Sequence, residues 1–312
     1  MKYEGLKVIE ERVKVSVETI LKPLFEIIEN PLITDLHVNA DGTIYTKGID
    51  GNRRKVDLCF ENRDIETVAA LLASSTNNDA SASSPVIPAA WDNPALRFQI
   101  FLPPVVDAPA ISIRKHGMLD VSLDELEEGG VVDNKQHLLL SALVKEKKNI
   151  IISGGMGSGK TTLANSLIRE IPSNERLFVI QDTKELNLSP CPDNIQIVVD
   201  STKFTARDAV FSSMRSDADR IIVGEVRDGA ALELLKAWNT GHRGGIGTIH
   251  ANSPEAVPLR FKTLIMEVST SPLPELVEEA LDAIVQVSMT PKGRRVTHIK
   301  VMHKEGIDGG LL

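Results

Sequence analysis

Between residues 6 and 28 the apolar positions Val13, Val17, Ile20, Leu21, Leu24 and Ile28 recur at three- and four-residue steps, which predicts an amphipathic helix. The period then shortens. Residues 34–39 and 43–47 read as strands around Ala40-Asp41-Gly42, where Asp-Gly favours a hairpin, and residues 55–60 read as a third strand after the turn at Asp50-Gly51. Helical spacing returns over 62–74. Residues 77–94, rich in Ser, Asn, Ala and Pro, read as a loop, and 96–102 and 110–114 read as strands on either side of Pro103-Pro104. The expectation is an N-terminal α+β domain over residues 1–116.

Residues 117–132 read as a linker with a short helix, marked by the capping pair Ser122 and Glu125 and the acidic run 124–128. Beyond it the texture changes. Apolar runs at 150–153, 176–181, 195–199 and 221–223 alternate with helical patterns, the signature of a parallel α/β sheet over residues 133–312.

The run at 150–152 leads into Gly154-Gly155-Met156-Gly157-Ser158-Gly159-Lys160-Thr161-Thr162, a complete G-x-x-x-x-G-K-[ST] pattern between a strand and a helix. Such a loop lets backbone N–H groups converge on phosphate oxygens, Lys160 adds a point charge near the β- and γ-phosphates, and Thr161 is placed to hold magnesium. The helix that follows turns its positive end toward the anion. The chain is therefore a candidate nucleoside triphosphatase.

The run at 221–223 ends in Gly224-Glu225, a carboxylate at the carboxyl edge of the sheet, where it could orient or deprotonate an attacking water. Gly224 stands where an Asp is usual. The run ending at Ile180 releases Gln181-Asp182-Thr183-Lys184-Glu185 at the same edge. Residues 238–250 combine His242 and His250 with four glycines, and by spacing alone this is either a structural loop or a phosphate sensor.

Composition narrows the class. At 312 residues with 25% charged and 4% aromatic residues, the chain suits two globular domains with aliphatic cores. Residues 1–140 hold 14 Lys and Arg against 22 Asp and Glu, whereas residues 141–312 hold 21 of each, a balance that argues against tight, nonspecific DNA binding, and no direct sequence-specific nucleic-acid binding is expected. The charged N-terminus is unlike a secretory signal, and no apolar run reaches the roughly 18 residues of a membrane span, so a cytoplasmic protein is expected. Cys59 and Cys191 form no C-x-x-C pair, which removes a zinc module or disulfide framework and leaves both as buried or incidental.

The boxes GGMGSGKTTL, QDTKEL, RIIVGEVRDGAALELLKAWNTGHRGGIGTIHAN and PKGRRVTHIKVM, with the looser WDNPALRFQIFLPPVVDAPAISIRK, resemble the type II/type IV secretion ATPase superfamily, most of all the TrbB-type conjugal-transfer ATPases. The resemblance implies ATP and Mg2+ bound to a RecA-like C-terminal domain, and a ring of six subunits that drives export or pilus assembly. Membrane association would be peripheral, through inner-membrane components of the transfer apparatus. By motif position, Lys160 and Thr161 take phosphate and magnesium, Glu185 lies in the Asp box, Glu225 ends the Walker B strand, and His250 closes the His box, with His242 a second candidate. Arg97 and Arg114 match N-terminal-domain arginines that reach the phosphates.

Two positions depart from that pattern. Gln181 replaces an Asp-box Glu, which shifts the catalytic burden to Glu185 and Glu225. Asp217 replaces one arginine of the R-x-R-P-D sequence usual in the conjugation branch. The alternatives are a type IV pilus assembly or retraction ATPase, a RecA-like nucleic-acid motor, and a nucleotide-gated assembly scaffold with little turnover.

Overall fold

The computed structural model describes residues 2–75, 80–92, 95–115, 120–199 and 203–302, and the chain divides into two compact units, Met1–Gly117 and Met118–Leu312. Unit 1 begins with α1 (Lys2–Ile28), whose Val17, Leu21, Leu24 and Ile28 are buried as their spacing requires. Strands β1 (Ile33–Val38), β2 (Ile44–Gly48) and β3 (Arg53–Val56) follow as antiparallel neighbours, then α2 (Asn62–Ser75), β4 (Val86–Asp92), β5 (Ala95–Phe101) and β6 (Ala110–Lys115). Among the described residues the six strands pair in the order β3-β2-β1-β6-β5-β4.

Two sequence expectations need correction here. The stretch read as a loop contains β4, which pairs with β5 from Val86 opposite Phe101 to Asp92 opposite Ala95, although residues 76–79, 93 and 94 lie outside the description. Pro88 disguised it: proline removes a ladder donor and so belongs on a sheet edge, which is where β4 runs. The third strand sits at Arg53–Val56, not 55–60, because the turn at Asp50-Gly51 sets Arg53 opposite Lys47. The core of unit 1 fills the face carrying Leu36, Ile44, Phe98 and Ile113, capped by α1 and α2, with Trp91 edge-on to Phe98 at 6.1 Å.

Unit 2 opens with α3 (Leu123–Glu128) and α4 (Asn134–Lys145), each started by a complete capping box, from Ser122 with Glu125 and from Asp133 with Gln136. Within the stretch read as a linker, Leu123, Leu126 and Val132 are core residues of unit 2, while residues 117–119 lie outside the description. The remaining elements are β7 (Ile150–Gly154), α5 (Lys160–Arg169), β8 (Leu177–Gln181), β9 (Asn194–Val198), α6 (Ala206–Ser213), β10 (Arg220–Val223), α7 (Ala230–Asn239), β11 (Ile246–Ile249), α8 (Ala256–Ile265), α9 (Pro274–Ala280), β12 (Ala283–Thr290) and β13 (Gly293–Val301). Among the described residues seven strands form one sheet in the order β13-β12-β7-β11-β10-β8-β9. Every pairing is parallel except β12 with β13.

Both faces of this sheet are covered, which is why its strands read as unbroken apolar runs. Ile150, Ile152, Leu177 and Val179 face one core, and Ile151, Phe178 and Ile180 face the other, the alternation that a period of two imposes. At the edge where β10 begins, Arg220 is fully buried. It pairs with Glu175 at 2.6 Å and donates to the carbonyls of Val144 and Gly244 at 3.0 and 3.2 Å. Burial pushes the Glu175 carboxyl up, but its bond to Arg220 and the charges of Arg220 and Lys147 outweigh this and hold it below the usual range. Asp217, read above as a departure from a family pattern, takes φ 51° in the turn before β10, a left-handed conformation that Asp tolerates better than most residues.

Candidate functional site

The carboxyl ends of β7, β11, β10 and β8 converge on one edge of the unit 2 sheet, and the sequence-predicted residues of unit 2 other than His242 cluster there. Gly154 to Gly159 form the turn from β7 into α5, with Gly157 and Gly159 at φ 72° and 103°, a region glycine enters freely. Gly159 is the N-cap of α5 and offers no side-chain cap, so the first N–H groups of the helix are left for an external acceptor. Met156 is 74% exposed at the crest of the loop, whereas Ser158 beneath it is buried.

Lys160 is buried and folds back over this turn. Its Nζ donates to the carbonyls of Gly154 at 3.1 Å and Gly155 at 2.9 Å and lies 3.3 Å from His250 Nδ1. Burial lowers its pKa, against the pull of Glu225 and Glu185. Because an ammonium has only protons to offer, His250 Nδ1 must accept, which assigns the ring proton to Nε2. That nitrogen is 3.3 Å from Glu225 Oε1, and Glu225 Oε2 is 3.9 Å from Arg227, which pairs with Asp182. A continuous polar chain thus runs Lys160, His250, Glu225, Arg227, Asp182 across three strand ends.

The strand ends are fastened to one another. Thr248 Oγ1 donates to the Gly224 carbonyl at 2.6 Å, and the Val226 amide donates to the Thr248 carbonyl at 2.8 Å, which pins Glu225 beside β11. A Cβ at Gly224 would lie 3.0 Å from Gln181 Cβ, so β8 and β10 are spaced tightly enough that a larger residue there would need a neighbour to give by a few tenths of an ångström.

Gln181 does structural work that an acid is not needed for. Its Oε1 accepts the amide protons of Glu185 at 2.9 Å and Leu186 at 3.2 Å, shaping the loop that brings Glu185 Oε2 within 3.3 Å of Thr161 Oγ1. Asn165, one turn along α5 from Thr161, clasps the same loop, donating to the Glu185 carbonyl at 3.1 Å and accepting from Asn187 N at 2.9 Å. Hydroxyl and carboxylate oxygens side by side are donors that suit a hard divalent cation such as Mg2+. Among the described residues no group of three or more His, Cys, Asp or Glu forms a closed metal cage.

Other expectations fall elsewhere. His242 precedes β11 and His250 follows it, so the two histidines lie at opposite edges of the sheet and do not share a site. Thr162, in the first turn of α5, is half-buried. In unit 1, Arg97 and Arg114 stand directly opposite each other on β5 and β6, on the sheet face turned away from the core. Arg114 Nε donates to Asp35 at 2.7 Å. Burial raises the Asp35 carboxyl, and the hydrogen bond and charge of Arg114 more than reverse this. Cys59 is exposed and Cys191 buried. Sequence reasoning gave no role to Arg227, Asn165 or Arg294. Arg227 lies two residues beyond the strand-end acid and Asn165 four beyond Thr161, spacings that were the available signal.

A cavity of about 470 Å3 adjoins the loop, lined by Gly154, Gly155, Met156, His250, Asn252 and Arg260 among others. No helix of the described residues is long and apolar enough to cross a membrane.

Comparison with known proteins places this arrangement. Residues 87–307 match the model of the family described as Type II/IV secretion system protein. The probable conjugal transfer protein TrbB of Sinorhizobium fredii is 36% identical over 275 residues, spanning 87% of this chain and 84% of the relative. The fold is that of the Legionella pneumophila ATPase DotB, with a TM-score of 0.66 at 18% identity over 92% of this chain and 81% of that one. It is equally that of the pilus retraction motor PilT solved with bound ADP, with a TM-score of 0.66 at 20% identity over 91% and 83%. By the extent of the first two matches, the chain belongs to the type II/IV secretion system protein family.

Proposed function

We propose that the chain is a magnesium-dependent ATP hydrolase that powers conjugal DNA transfer or type IV secretion, with unit 2 as a RecA-like P-loop domain. The observation that carries the chemistry is the contact series from Lys160 through His250 to Glu225, because it joins the lysine of the phosphate-binding loop to the strand-end carboxylate. ATP lies with its β- and γ-phosphates on the N–H groups of Gly155 to Thr162, and Lys160 turns from the Gly154 and Gly155 carbonyls to the phosphates. Thr161 would hold Mg2+, with the Glu185 carboxylate 3.3 Å from its hydroxyl. The metal, when bound, screens the charge of the β- and γ-phosphates.

Glu225 orients the attacking water and accepts its proton as the water oxygen bonds the γ-phosphorus and the bond from that phosphorus to the bridging oxygen of the leaving ADP breaks. His250 touches both Lys160 and Glu225 and so senses whether the γ-phosphate is present. Arg97 and Arg114 supply charge from unit 1 to the transition state, a role that rests on the family resemblance. The working form is a homo-oligomer, most simply a six-membered ring, cytoplasmic and held at the inner membrane by components of the transfer apparatus, with no sequence-specific nucleic-acid contact.

Lys160→Ala is expected to abolish ATP turnover, and near-native activity in that variant would sink the site assignment. Glu225→Gln should keep ATP binding while hydrolysis falls roughly 10²- to 10⁴-fold. In a donor cell, replacing the native gene by the Lys160→Ala allele should abolish plasmid transfer, with recovery from a wild-type copy. Unchanged transfer would withdraw the conjugation role.

A further inference from the structure

Glu185, Glu225 and His250 follow β8, β10 and β11, strands that all stand on one side of β7 in the sheet. A triphosphate whose magnesium-binding end is drawn toward Thr161 and these groups therefore leaves its other end to the opposite side of β7. That side is built by β12 and β13. Val287 of β12 is in register with Gly154, and a Cβ at Gly154 would lie 2.3 Å from the Val287 carbonyl oxygen, so the loop rests directly on this pair of strands.

Arg294 reaches the loop from there. It is the second residue of β13, just past the tight turn at Gly293 (φ 96°), and its Nε donates to the Gly157 carbonyl at 3.2 Å. A Cβ on Gly159 would lie 3.2 Å from Arg294 Cδ, so the aliphatic part of the side chain lies along the glycine while the guanidinium sits at the rim of the loop. Among the described residues no carboxylate pairs with Arg294. Arg294 is half-buried, and its Nε bond to the loop fixes the guanidinium on the side where a nucleoside must leave the phosphates.

We propose that Arg294 is the nucleoside-end ligand of the site, its guanidinium held by Gly157 and stacked on the base of the bound nucleoside triphosphate. Guanidinium planes stack on aromatic faces, and a lysine at the same position would lack the plane. Every base presents a π-face, so such a contact grips ATP and GTP alike. This assignment rests on the nucleotide reading of the loop made above.

The test compares ATP with inorganic tripolyphosphate, which has the same anionic chain and no base, by titration calorimetry at about 0.15 M salt, where charges beyond roughly 8 Å are largely screened. Arg294→Ala and Arg294→Gln should each weaken ATP and GTP binding about tenfold and leave tripolyphosphate within threefold of wild type. The glutamine variant keeps a side chain over Gly159 and guards against a folding defect in the alanine variant. ATP affinity unchanged within twofold would overturn the assignment. So would equal losses for ATP and tripolyphosphate, which would make Arg294 a prop for the loop. Wild type that binds neither ligand would overturn the phosphate site itself and this assignment with it.

Discussion

Gln181→Leu tests whether the loop after β8 is shaped by the side-chain oxygen that two amides share. The leucine fills a similar volume in a position only 3% exposed but accepts nothing. It leaves the Glu185 and Leu186 amides, bonded now at 2.9 and 3.2 Å, without their acceptor. Leu186 is itself 3% exposed, so its amide carries most of the desolvation cost. An orphaned buried donor costs about 1–3 kcal/mol and a half-exposed one about 0.5–1.5 kcal/mol, for a sum of about 1.5–4.5 kcal/mol. For a unit of this size that corresponds to a fall of very roughly 3–18 °C in the unfolding midpoint, read by differential scanning calorimetry. ATP turnover should drop with it, because Glu185 loses its station beside Thr161. Gln181→Glu keeps an acceptor in the same place and should recover most of the loss. A midpoint within 1 °C of wild type for Gln181→Leu would refute the reasoning.

Glu175→Gln removes the partner of a fully buried guanidinium and should cost about 3–5 kcal/mol at neutral pH by urea denaturation. Since the folded carboxyl of Glu175 lies below its unfolded value of about 4.3, its contribution is present above that pH and is lost as pH falls through the folded value. The gap between wild type and Glu175→Gln should therefore close in acid, and a constant gap from pH 7 to pH 3 would contradict the pairing. Gly245→Ala sets a methyl group 2.1 Å from Trp238 Nε1, which donates to the Ile221 carbonyl, so the variant should lose folded protein on expression at 37 °C. Normal yield and an unchanged near-UV signal from that tryptophan would disprove the clash.

Much of the architecture could be read from the chain because burial on one face or on two leaves a period in the sequence. The runs at β7, β8 and β10 announced themselves through unbroken Ile, Val and Leu, and α1 through its stripe of Val17, Leu21, Leu24 and Ile28. Strand β4 stayed hidden since its Pro88 is tolerated only by virtue of an edge position that no local pattern reveals. The loop and its lysine were legible because glycines at positive φ leave a fixed spacing. The partners of Gln181 were not. An oxygen that caps two amides four and five residues on is indistinguishable in sequence from a lost acid until the turn is seen. Arg294 was legible only as part of a family box, as it lies 137 residues from Gly157 and reaches it because β12, its hairpin partner, pairs with β7.

The closeness of Gln181 and Gly224 also bears on what this strand end can hold. With 3.0 Å between the Gln181 Cβ and the site a Cβ would take on Gly224, a larger residue at 224 would press on Gln181. An aspartate at position 224 would require β8 or β10 to give by a few tenths of an ångström. Because Thr248 ties Gly224 to β11, that shift would have to be accommodated by three strands together. Gly224 is in this sense a keystone: a larger side chain at this strand end would be felt by β8, β10 and β11 at once.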